Sequence, residues 1–190
     1  GDWSSDVCSS DLPPKPPARI LYWNVFELGG GLFTPAERPQ HAIDAYARLI
    51  AALDLHVVVL GGITRGPQTV PVSKRAGEAH FIAFEEAPPD TGLAEVARIM
   101  RKLQELDAGA GWQMTLPRHR TTGATLYHRG GTVAFLYAAS KGFALRKTDL
   151  IASTLRDSPC VTDTLVAASF SAPAFSAAPV QVMATLGPTT

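Results

Sequence analysis

The sequence predicts a mixed α/β fold in one domain, and three features of the 190-residue chain carry that prediction. Residues 19–24 (Arg-Ile-Leu-Tyr-Trp-Asn) and 56–62 (His-Val-Val-Val-Leu-Gly-Gly) are short apolar β runs that stop abruptly, joined by one helix-length segment as in the opening of a βαβ unit. A second amphipathic stretch spans residues 93–106, and from Trp112 onward nearly every pattern is that of a strand.

Taken in order, residues 1–12 (Gly-Asp-Trp-Ser-Ser-Asp-Val-Cys-Ser-Ser-Asp-Leu) share no pattern with the rest of the chain. They resemble one reading frame of a common short-read sequencing adapter and are set aside from fold reasoning. Pro13, Pro14, Pro16 and Pro17 then make a stiff lead, so residues 1–17 are expected to be disordered and the domain to occupy residues 18–190. The first strand delivers Asn24 to the rim of a sheet. Gly29, Gly30 and Gly31 read as a flexible loop rather than a phosphate cradle, because Thr34 stands where a dinucleotide fingerprint requires its third glycine.

Thr34, Pro35 and Glu37 form a capping box. The main helix is expected from about Pro39 to Leu53, burying Ile43, Tyr46, Ala47, Ile50 and Leu53, with His41 and Asp44 on a solvated first turn rather than paired as metal ligands. The unbroken run Val57 to Leu60 reads as a central strand covered on both faces. Residues 63–79 read as a long surface loop and residues 80–85 as a strand, whose Glu85 and Glu86 are a solvated strand end more than an acid pair. Asp90 or Thr91 starts the second helix and Gly109 closes it, with Leu93, Val96, Met100, Leu103 and Leu106 toward the core. Strands are then expected at residues 112–116, 125–128, 132–138, 143–147, 165–170 and 180–186, as a β meander. His119 and His128, among Arg118, Arg120 and Arg129, read as scattered surface basics rather than an anion-steering group.

Composition narrows the partners. Hydrophobic residues at 46%, charged residues at 18% and a formal net charge of zero leave no basic excess to draw the chain to nucleic acid or an anionic membrane. No apolar run approaches the roughly 18 residues of a membrane span. Of the two cysteines, Cys8 falls in the adapter-like segment, which leaves Cys160 without a disulfide partner or a second thiolate for a metal cage.

The order of these motifs carries a resemblance. Residues 19–24, the amphipathic helix, residues 56–60, the helix ending near Gly111 and Trp112, and residues 132–137 together resemble the first half of the endonuclease/exonuclease/phosphatase superfamily, with its deoxyribonuclease-I-like fold. The resemblance implies a four-layered αββα sandwich of two mainly antiparallel sheets flanked by helices, here incomplete at the C-terminus. It also implies Mg²⁺-dependent hydrolysis of a phosphoester substrate, with Asn24 as the strand-end asparagine that helps organise the catalytic site.

The chain departs from that pattern at the metal. Leu60-Gly61-Gly62 stands where the family has Leu-Gln-Glu, so Gly62 takes the place of the metal-binding carboxylate, and Thr185 takes the place of a later histidine. The Asp-x-Asn and Ser-Asp-His segments of the family are absent before Thr190. No metal ligand and no bound cofactor are therefore expected for this chain, and no hydrolysis. Two other readings stand beside that one: a non-catalytic binding module of the same fold, and an unrelated α/β structural or protein-binding domain. If the second sheet is incomplete, strands such as residues 180–186 are expected to leave apolar faces uncovered and to promote association.

Overall fold

The computed structural model of the chain describes residues 17–30, 37–66, 90–118, 123–127, 131–150 and 164–186. Its elements are β1 (Ile20–Leu28), α1 (Gln40–Ala52), β2 (Val57–Thr64), α2 (Thr91–Leu106), β3 (Trp112–Thr115), β4 (Gly131–Ala138), β5 (Ala144–Leu150), β6 (Thr164–Ser171) and β7 (Val180–Leu186). They form the two-sheet α/β architecture that the sequence predicts.

The first sheet has the order β1-β2-β4-β3 and the second the order β5-β6-β7. β1 and β2 run parallel, from Ile20 opposite Val57 to Asn24 opposite Gly61, because α1 returns the chain to the end from which β1 started. Every other pairing is antiparallel. Ile43, Ala47 and Ile50 of α1 and Val96, Ile99 and Leu103 of α2 bury one face of the first sheet with Val58, Leu60, Ala134 and Leu136. On the other face Val57, Val59, Val133, Phe135 and Tyr137 meet Val166, Ala168, Phe170, Val182, Ala184 and Leu186 of the second sheet. β2 and β4 are thus covered on both sides, which is why their sequences are continuous apolar runs instead of alternating ones.

α2 starts where Asp90 Oδ1 accepts the N–H of Leu93 at 3.1 Å, an N-cap bond. The helix ends at Leu106, which is exposed rather than in the core. Its spacing of three from Leu103 rotates it off the stripe centred on Val96, Met100 and Leu103. Tyr46 and Leu53 of the first helix segment are only partly buried against the core.

Several other expectations are corrected. β1 continues to Leu28 and β2 to Thr64, because pairing resumes at Leu28 and Ile63 after an irregularity. Residues 63 and 64 therefore belong to the strand rather than to a loop. The strand expected at residues 125–128 is a single bridge between Arg118 and Thr125 among the described residues. The carbonyl of Leu126 there accepts the hydroxyl of Thr132 at 2.8 Å instead of a ladder N–H. β7 is not left uncovered: Val182, Ala184 and Leu186 are buried because β7 lies over β2 and β4. Three exposed apolar side chains lie on β1, Ile20 at 44%, Tyr22 at 53% and Phe26 at 42% of their full accessibility, and Met183 is exposed on the outer face of β7. Among the described residues no helix is long and apolar enough to cross a membrane.

Candidate functional site

The region around Asn24 is built from a break in β1. Asn24 Oδ1 accepts the backbone N–H of Phe26 at 3.0 Å, a short loop closed by the side chain, and Phe26 and Glu27 then adopt φ of 40° and 51°. Left-handed backbone at two successive non-glycine residues costs about 1–3 kcal/mol each and persists only where the surroundings over-determine it. Those surroundings are polar and come mainly from Arg38 and Glu95. The Arg38 guanidinium donates to the carbonyl of Val25 at 3.0 Å, to that of Phe26 and to the Tyr46 hydroxyl, while lying 5.7 Å from the centre of the Tyr46 ring. Tyr46 is itself held edge-on against Trp23 of β1, with ring centres 5.0 Å apart.

Glu95 sits on the buried face of α2 at 2% exposure. Its carboxylate accepts the N–H of Gly29 at 3.2 Å and the N–H of Arg38, and it pairs with Arg38 at 3.9 Å and Arg98 at 3.7 Å. The charge is thus matched by two guanidinium groups and two amides, the condition under which a buried carboxylate is tolerated. Sequence reading missed Glu95. The signal was available, since it lies beside Val96 and four residues before Ile99, an acid placed on the apolar stripe.

The glycines serve close approach rather than flexibility. Gly29 and Gly30 are buried, and a Cβ at Gly29 would come within 2.3 Å of the Gly92 backbone nitrogen. Thr91 Oγ1 donates to the Gly29 carbonyl and Thr64 Oγ1 to that of Gly30 at 2.6 Å, so the turn is fastened to α2 and β2. Gly31 lies outside the described residues, as do Thr34, Glu85, Glu86, His119, His128, Arg120, Arg129, Cys8 and Cys160 and nearly all of the segment expected to be disordered.

Opposite Asn24 are the two glycines that end the apolar run of β2. A Cβ on Gly61 would lie 2.6 Å from the Tyr22 hydroxyl, and one on Gly62, whose φ is 73°, would lie 2.3 Å from Asn24 Oδ1 and 3.0 Å from the Phe26 nitrogen. The missing side chains make room for Tyr22 and Asn24. A magnesium ion does not fit these residues. It requires hard, anionic oxygen ligands, whereas Asn24 is neutral with its oxygen engaged, and Gly62 has no space for a carboxylate. Among the described residues no three His, Cys, Asp or Glu side chains are grouped so as to hold a metal ion.

The other candidates do not join this region. Thr185 is exposed on the face of β7 that points away from the first sheet, while its neighbour Ala184 points inward. Asp44 accepts from the Gln40 side chain at 2.8 Å and His41 is exposed, so they make a solvated turn. Asp44 and Gln40 line an open groove of about 460 Å³ between the helices, with Arg98, Arg101, Lys102 and Glu105. Arg118 donates to the carbonyl of Gly123 at 2.9 Å. Near the α2 N-terminus the Tyr127 hydroxyl donates to Asp90 Oδ2, and burial followed by that hydrogen bond pushes the phenol well above its usual range.

No protein-family model matches the sequence, and no curated protein matches it. Among solved structures, an endonuclease/exonuclease/phosphatase family protein from Leptotrichia buccalis C-1013-b is similar with a TM-score of 0.45 and 11% identity, over 88% of this chain and 53% of that one. The chain thus spans about half the length of that protein.

Proposed function

We propose that this chain is a non-hydrolysing relative of the metal-dependent phosphoesterases of the endonuclease/exonuclease/phosphatase superfamily. The motif order in the sequence supports the ancestry. The observation that carries the loss of activity is the distance of 2.3 Å between Asn24 Oδ1 and the point where any side chain at position 62 would begin. In the parent reaction a metal ion supplies several kcal/mol of charge stabilisation to the transition state. Here the asparagine instead closes a backbone turn through the Phe26 N–H. The test is hydrolysis of bis(4-nitrophenyl) phosphate with Mg²⁺ or Mn²⁺. The expected rate equals that of buffer, and a metal-dependent rate abolished by Asn24→Ala would overturn the reading.

One observation favours a second reading, that of a binding module. Tyr22 and Phe26 are exposed at 53% and 42% on either side of Asn24, on an edge strand, so the surface around the former site is apolar and aromatic. Binding of a partner that is lost in Tyr22→Lys, while folding is retained, would support it.

A further inference from the structure

At the other end of β1, away from Asn24, the strand is tied down by a histidine. We propose that His56 is a pH-sensitive latch that fastens the first residues of edge strand β1 to β2 and loosens them when the imidazole takes up a proton. The geometry fixes the protonation state. His56 Nδ1 lies 3.0 Å from the backbone nitrogen of Arg19, which has only a proton to offer, so Nδ1 must present its lone pair. The neutral ring therefore carries its proton on Nε2. In the imidazolium both ring nitrogens carry protons, and the Arg19 N–H would face another N–H instead of an acceptor.

The surroundings on balance oppose that second proton. The ring packs edge-on to Phe175 with centres 4.7 Å apart and tilts against Phe143 at 5.6 Å. Among the described residues the charged groups facing it are Arg19 immediately before β1, Asp54 in the turn before β2, and Lys141 in the turn after β4. Asp54, the one acid facing the ring among the described residues, is already engaged by Lys141 at 2.6 Å and by Arg19 at 3.6 Å. Burial, then the Lys141 charge, hold the His56 pKa below the ordinary histidine value of 6.5.

The direction comes from linkage. The unfolded or detached histidine binds protons more readily than the seated one, so the latch is fully closed above pH 6.5 and weakens as pH falls through the lowered value. What remains at that end is the Arg19 carbonyl, which accepts from the N–H groups of His56 at 2.9 Å and Val57 at 3.3 Å. Loosening is thus confined to the first residues of the strand, while the core pairing around Val58 persists.

The experiment is a nuclear magnetic resonance titration of the full chain from pH 8 to 4.5, with amide exchange measured at both ends. His56 is expected to titrate with a midpoint below 6.5, and the Arg19 amide to track the same midpoint. The protection of the Arg19 amide should fall about tenfold, the worth of one hydrogen bond, while that of Val58 is unchanged. His56→Asn places an acceptor oxygen near the Nδ1 position without a titrating group, and should keep Arg19 protected at both extremes. The proposal is overturned if wild-type His56 titrates at or above 6.5, if Arg19 protection is independent of pH, or if His56→Asn retains the same pH dependence.

Discussion

Gly62→Ala is expected to destabilise the fold by about 2–3 kcal/mol, although it adds a single methyl group at the sheet rim. Two costs add. At φ of 73° an L-residue pays about 1 kcal/mol or more in the left-handed region. The new Cβ also falls 2.3 Å from Asn24 Oδ1, so the amide must swing away and surrender its bond to the Phe26 N–H, a loss of about 1 kcal/mol. The Phe26 backbone, 3.0 Å from the same point, limits how far the region relaxes. Denaturant unfolding measures the sum, and a double-mutant cycle with Asn24→Ala separates the parts. Because Asn24→Ala removes both the clash and the bond, the double variant should be less destabilised than the two single changes summed. Gly62→Glu, which introduces a carboxylate at the same point, should be at least as destabilised and gain no stability from Mg²⁺. A neutral Gly62→Ala, strict additivity in the cycle, or a Mg²⁺-dependent rise in the melting temperature of Gly62→Glu would refute the reasoning.

Gly92→Ala should cost about 2 kcal/mol despite the roughly 1 kcal/mol that alanine gains in a helix, because its Cβ meets the carbonyl oxygens of Thr64 at 2.1 Å and Leu28 at 2.8 Å. Gly109→Ala, with nothing among the described residues within 4 Å of the new Cβ, should be neutral or slightly stabilising in the same unfolding assay. Glu95→Gln should cost about 3–5 kcal/mol, since it leaves Arg38 and Arg98 without their buried counter-charge. The Tyr127 phenol, with its raised pKa, should stay protonated well above pH 10 by ultraviolet titration. Its contribution to stability is full below pH 10 and is lost as pH rises toward the folded value. Tyr22→Lys should reduce concentration-dependent association in size-exclusion chromatography, because it places a charge on the exposed edge strand β1.

Much of the architecture was written in local pattern. The runs at Val57 and Val133 are apolar without alternation because both faces of β2 and β4 are covered, and that burial is a property of the residues themselves. The two helices arise from apolar spacing, and Asp90 marks its own N-cap. The pair of glycines that ends the apolar run of β2 was likewise visible in the sequence. Its consequence was not. That Gly61 and Gly62 clear space for Tyr22 and Asn24, and that Gly29 lies against Gly92, depend on residues 38 to 63 positions apart meeting at ångström distances. The same is true of Glu95, an acid that reads as a flaw in an amphipathic stripe until Arg38 and Arg98 arrive to match it. Periodicity reports which side of an element is buried. Only tertiary contact decides which atoms meet there, because a polar group is tolerated in the interior only by partners the chain brings from elsewhere.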